Sequence, residues 1–91
     1  MLKTIKDLVK QGKYRFTFKA ELEMARCWLE GEDILDAILN AQQIDKVENS
    51  YNPYTNHSEK LYIIKNHGLY VKGKVVDNFI IISCKFDTDT R

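Results

Sequence analysis

The chain predicts an α+β domain, N-terminal helices packed on one face of a twisted antiparallel sheet of about four strands. Three observations predict it. Apolar residues recur at helical spacing as far as Ala41, the period then changes to two, and the later apolar runs are joined by turns too short for helical crossovers. Ninety-one residues suit one domain over 1–91, because a chain of this size buries too little surface to support two cores.

Leu2, Ile5, Leu8 and Val9 recur at helical spacing with lysines between them, and Gly12 stands where a helix C-terminus favours glycine, so the chain opens with a short helix. Tyr14 to Phe18 alternates as a brief extended segment. Thr17 is placed to cap a second helix whose stripe of Ala20, Met24, Cys27 and Trp28 is read as core. A third helix runs from near Glu32 to Ala41, with Ile34, Leu35, Ile38 and Leu39 inward and Glu32 and Asp33 in its acid-favouring first turn. Gln43 to Tyr51 is extended and mostly polar, as an edge strand would be, and NSYNPYTNHS is a turn-rich loop around Pro53. Lys60 to Lys65, Leu69 to Val76 and Phe79 to Phe86 read as strands separated by turns at Asn66-His67-Gly68 and Asp77-Asn78. FIIISCKF is apolar on both faces and is expected to be the central strand, while the tail 87–91 is expected to fray.

Composition excludes several classes of protein. With 44% hydrophobic and 30% charged residues, no apolar run reaches the length of a membrane span, and the N-terminus lacks the apolar core of a signal peptide, so a cytoplasmic location is expected and no membrane partner. Cys27 and Cys84 show no metal-ligand spacing and are read as buried thiols; no metal and no cofactor are expected, and there is no glycine-rich phosphate loop. The net charge of +1 conceals a segregation: residues 1–20 carry +5, residues 21–48 carry −6 and residues 49–91 carry +2. A cationic face suited to phosphate and an anionic face suited to a basic partner follow if folding gathers these charges; scattered, they are ordinary solvated surface.

LYVKGKVV places Leu69, Val71, Gly73 and Val75 on one face of a strand and Tyr70, Lys72, Lys74 and Val76 on the other. A tyrosine beside two lysines about 7 Å apart suits RNA phosphate contact and base stacking, and equally suits the wet side of an antiparallel sheet.

Tyr14, Phe16, Thr17, Ala20 and Met24, followed by Glu32, Asp33 and Ile34, resemble an uncharacterised bacterial domain family whose pattern is Tyr-x-Phe-Thr-x-His-Ala with methionine four residues on. The Tyr70-x-Lys72-Gly73-Lys74 strand, and Ser83-x-Lys85 after it, extend the resemblance over about 13–86. Lys19 stands in place of the family's histidine, and Leu22-Glu23 in place of its Glu-Arg. The family is similar to the RelE, BrnT and MqsR toxins, small helix-plus-sheet ribonucleases that pair with an antitoxin encoded beside them. The resemblance implies a metal-independent endoribonuclease that binds RNA and an antitoxin protein. Lys19, Tyr70, Lys72 and Lys85 are the implied catalytic residues, and Arg15, Lys74 and His67 the RNA-binding ones. Such cleavage needs a base, an acid and cations around the phosphorane. Histidine suits proton transfer near neutral pH; a lysine at position 19 holds phosphate directly but serves as a base only after a large pKa shift. The alternatives are a non-catalytic protein-interaction module on the same scaffold, acting through its acidic helices or edge strand, and a domain in which the motif is purely structural.

Overall fold

The computed structural model describes residues 1–88. Helix α1 (Leu2–Lys10) is followed by β1 (Tyr14–Phe16), α2 (Phe18–Arg26), α3 (Gly31–Leu39), β2 (Lys46–Asn52), β3 (His57–Asn66), β4 (Leu69–Val76) and β5 (Asn78–Phe86).

The helices start and stop where local chemistry directs. Thr17 caps α2, its Oγ1 accepting from the Ala20 amide at 3.1 Å, and at α3 the Glu30 amide donates to Asp33 Oδ2 at 2.8 Å. Helix α1 closes in a Schellman turn: the Lys13 amide donates to Leu8 O at 2.8 Å and the Gly12 amide to Val9 O at 3.0 Å, with Gly12 at φ +75°. Helix α2 closes the same way, Leu29 amide to Met24 O at 2.9 Å and Trp28 amide to Ala25 O at 3.3 Å, but the left-handed position is held by Trp28 at φ 56°. This corrects the reading of Trp28 as core. The helix ends at Arg26, the chain turns left-handed, and the indole is thrown outward to 93% exposure.

The sheet has five strands in the order β1-β5-β4-β3-β2 and is mixed, where about four antiparallel strands were expected. The difference is β1, which pairs parallel to β5 in the register Tyr14↔Phe79, Arg15↔Ile80, Phe16↔Ile81. Three residues of sequence carry too little periodicity to show that they join a sheet, and the partner lies at the far end of the chain. FIIISCKF is an interior strand, with β4 at the centre. The turn-rich segment around Pro53 is mostly ladder: β2 and β3 pair from Lys46↔Ile63 to Asn52↔His57. His67 and Gly68, at φ 53° and 72°, form the two-residue β3–β4 turn, matching the strand twist as a type I′ turn does. The Asp87 amide donates to Gly68 O at 2.9 Å, and residues 89–91 of the tail expected to fray lie outside the described residues.

All three helices pack on one face. Helix α2 lies on β5, α3 on β3 and β4, and α1 against α3 and β5. Ile5, Ala20, Met24, Ile34, Ala37 and Ile38 meet Ile64, Leu69, Val71, Phe79, Ile81 and Cys84 between the layers. A β-bulge in β5 sets which side each of its residues faces: Lys72 pairs with Ser83 but Gly73 with Ile81, leaving Ile82 as the extra residue. Gly73 is required opposite the bulge, since a β-carbon there would lie 2.6 Å from Phe79 Cζ and 2.7 Å from the Ile80 carbonyl oxygen.

Two stability measurements check these points. Trp28→Gly is expected to raise unfolding stability by about 1 kcal/mol, because it relieves a left-handed tryptophan and forfeits almost no burial. Gly73→Ala is expected to lower it by about 1–3 kcal/mol through overpacking against backbone. Urea titration of the two variants beside wild type reads both.

Candidate nucleic-acid interface

The second face of the sheet carries no helix, and the ladder registers give its surface residue by residue. In an antiparallel pair, residues directly opposite point to the same side. One cross-strand row is Lys65, Tyr70, Lys85; a second is Lys46, Ile63, Lys72, Ser83; a third is Lys74, Ile80, Arg15. Each row sets an apolar or aromatic side chain between two cations. Ile63 and Ile80 are buried although no helix covers them and both lie outside the main core cluster. In the ladder Ile63 is flanked by Lys46 and Lys72, and Ile80 by Lys74 and Arg15, long side chains whose aliphatic stems suit the cover of an apolar neighbour.

The charges are partly compensated within the face. Lys72 Nζ lies 3.1 Å from Glu48 Oε1, Lys46 Nζ lies 3.4 Å from Glu48 Oε2, and Lys74 Nζ lies 3.3 Å from Glu59 Oε1. Glu48 is held below the usual carboxylate range by the Lys72 hydrogen bond first and the Lys46 bond second. Burial pulls Lys72 down, but the bond to Glu48 and the nearby Tyr70 outweigh it, and its pKa is raised. Lys72 is therefore a fixed cation at neutral pH, paired with an ionised Glu48. In the neighbouring row the Lys85 ammonium stands 5.2 Å from the Tyr70 ring centroid, a cation–π contact that orients the phenol ring.

Of the residues expected at the site, Arg15, Tyr70, Lys72, Lys74 and Lys85 share this face. Lys19 does not. It lies exposed in the first turn of α2, in the opposite layer. His67, in the β3–β4 turn, borders a shallow recess with Leu29, Asp33, Asp36, Leu69 and Phe86 on the helical side. Lys46, Lys65, Glu48 and Glu59 belong to the face and escaped sequence reading. The signal for Lys65 was present: a two-residue turn at His67-Gly68 fixes Asn66 opposite Leu69, and hence Lys65 opposite Tyr70.

Helix α2 positions this face from behind. β1 covers the edge of β5 only through Ile81, and the exposed edge beyond it is satisfied by side chains and backbone of α2. Thr17 Oγ1 donates to Ile82 O at 3.2 Å, Glu23 Oε1 accepts from the Cys84 amide at 3.3 Å, and Cys84 Sγ donates to Ala20 O at 3.7 Å. Glu23, part of the departure from the resembled pattern, thus completes the sheet edge. Burial pushes the Cys84 thiol up to about 12, with the Glu23 charge adding to it. Cys27, expected to be buried, is only partly so. Among the described residues no group of three or more His, Cys, Asp or Glu is placed to hold a metal ion, and no helix is long and apolar enough to cross a membrane.

The chain matches no protein-family model, no curated protein and no solved structure.

The two thiols are expected to separate by reactivity: iodoacetamide at mildly alkaline pH labels Cys27 and leaves Cys84 unmodified until the protein unfolds. Peptide mapping of the alkylated protein checks this, and rapid native labelling of Cys84 would contradict its assignment.

Proposed function

We infer that the open face of the sheet binds RNA through its backbone phosphates, with Tyr70 as a stacking platform, and that it acts by binding rather than by cleavage. The observation that carries this reading is the set of three cross-strand rows, six cations against Glu48 and Glu59 within the strands and Asp87, 3.9 Å from Lys65 Nζ, just beyond them. Such a surface attracts a polyanion, and the interleaved aromatic and aliphatic groups accept unstacked bases without sequence readout. The state of the central lysine favours phosphate contact over the role of a base. A general base must give up a proton, and Lys72 is held protonated by Glu48. His67 belongs to the other side of the sheet, and His57 to the far end of β3 beside the hairpin turn. The finer proposal, kinship with RelE-like toxins, rests on the motif of Tyr14, Phe16, Thr17 and Met24 together with the Tyr70-x-Lys72-Gly73-Lys74 strand. An antitoxin-like protein partner belongs to that proposal.

Fluorescence anisotropy with a labelled uridine oligonucleotide tests it. Lys72→Ala is expected to weaken binding and to reduce the slope of log affinity against log salt by about 0.7, one phosphate contact on a single strand. Tyr70→Ala is expected to cost about 1–3 kcal/mol per stacked base. Glu48→Gln is expected to strengthen binding, because it frees Lys72 and Lys46 from an internal competitor for phosphate. Unchanged affinity in Lys72→Ala and Tyr70→Ala would remove the site. Cleavage of the oligonucleotide by wild type that is lost in Lys19→Ala would restore the ribonuclease reading.

A further inference from the structure

Helix α2 has two apolar stripes. Ala20 and Met24 face the core, while Phe18, Leu22 and Ala25, at i, i+4 and i+7, face solvent. Phe18 is 76% exposed and Leu22 42% exposed, and Trp28 projects from the end of the same helix at 93% exposure. A helix on a domain surface ordinarily presents polar residues outward, and exposed aromatic side chains grouped on one element mark an interaction surface. The left-handed Trp28 gains almost no burial in return, being 93% exposed, whereas the same Schellman turn is closed by Gly12 at the end of α1. Lys19 and Arg26, seven residues apart, run along one flank of the solvent-facing stripe.

We propose that the outer face of α2 docks an amphipathic helix of another protein, one that seats its apolar stripe on Phe18, Leu22 and Trp28 and sets carboxylates against Lys19 and Arg26. Charge selects this occupant over a second copy of the chain. In an antiparallel pair of α2 helices related by a twofold axis each flank meets itself, bringing Lys19 against Arg26 of the copy. In a parallel pair Glu21, exposed on the opposite flank, meets Arg26 of the copy, but Lys19 is left without a carboxylate and the two helix dipoles lie side by side with like ends together. A separate helix with an acidic flank meets neither penalty. This surface is in the helical layer, away from the cationic sheet face, so both can be occupied at once.

The test uses two synthetic helical peptides with the same leucine stripe, one with glutamates along a flank and one with lysines in their place, titrated into the full chain by amide NMR. The glutamate peptide is expected to shift Phe18 to Trp28 and to bind about tenfold more tightly than the lysine peptide at low salt, the gap closing as salt rises. Leu22→Glu and Trp28→Gly are each expected to weaken it by about tenfold or more, the scale of an aromatic anchor. Because Trp28→Gly is expected to be the more stable protein, its loss of binding cannot be unfolding. Equal affinity for the two peptides, or shifts outside α2, would overturn the proposal. So would self-association of the wild type that Leu22→Glu abolishes, or displacement of the bound peptide by a uridine oligonucleotide.

Discussion

The bulge at Ile82 is the constraint on which the rest of the structure depends. If β5 alternated without interruption from Phe79, then Ile81, Ser83 and Lys85 would all face the helices, and Cys84 would face water. A lysine would then be buried in the core without a partner, which the interior does not tolerate. The extra residue reverses the alternation halfway along the strand. Phe79 and Ile81 face inward before it, Cys84 after it, and Ser83 and Lys85 are returned to the open face, where Lys85 meets Tyr70. The bulge is held from both sides, by Gly73 across the ladder, where no β-carbon fits, and by Thr17 of the α2 cap, whose hydroxyl binds the Ile82 carbonyl. One threonine therefore starts a helix and secures the bulge that sorts polar from apolar on the neighbouring strand.

This arrangement joins the fold to its proposed role. The cationic rows depend on register across all five strands, so every connection contributes: the short parallel β1 brings Arg15 beside Ile80, and the hairpin at His67-Gly68 brings Lys65 beside Tyr70. Aliphatic residues on a helix-free face would ordinarily be a liability. Here Ile63 and Ile80 are nonetheless buried, each standing in register between two long cationic side chains. Glu48 and Glu59 then limit how strongly the face attracts anions, tying its affinity to the competition between an internal carboxylate and an external phosphate.

The parts of this molecule legible in its sequence were those encoded by local periodicity or local chemistry. The three helices, the Thr17 cap and the outward-facing Tyr70, Lys72 and Lys74 all follow from spacing within one element. β1 was not legible as a strand of the sheet, because its pairing depends on residues more than sixty positions away. Trp28 misled because it continues the apolar spacing of α2 past the point where the helix stops; only the backbone turn reveals that it leaves the stripe. FIIISCKF appeared apolar on both faces because a bulge within it shifts the period, and an uninterrupted pattern cannot be told from an interrupted one in a run so uniformly apolar. The pairing of Lys72 with Glu48 crosses from β4 to β2 over the intervening β3, a relation that no spacing along the chain encodes.

The most direct test of the central claim, that the helix-free face set by the bulge is where RNA sits, is a map of amide chemical-shift changes on titration with a uridine oligonucleotide. The account predicts changes following the three rows, at Arg15, Lys46, Ile63, Lys65, Tyr70, Lys72, Lys74, Ile80 and Lys85, with α1, α2 and α3 unmoved. Changes concentrated on the helices around Lys19, with the strand rows silent, would contradict it.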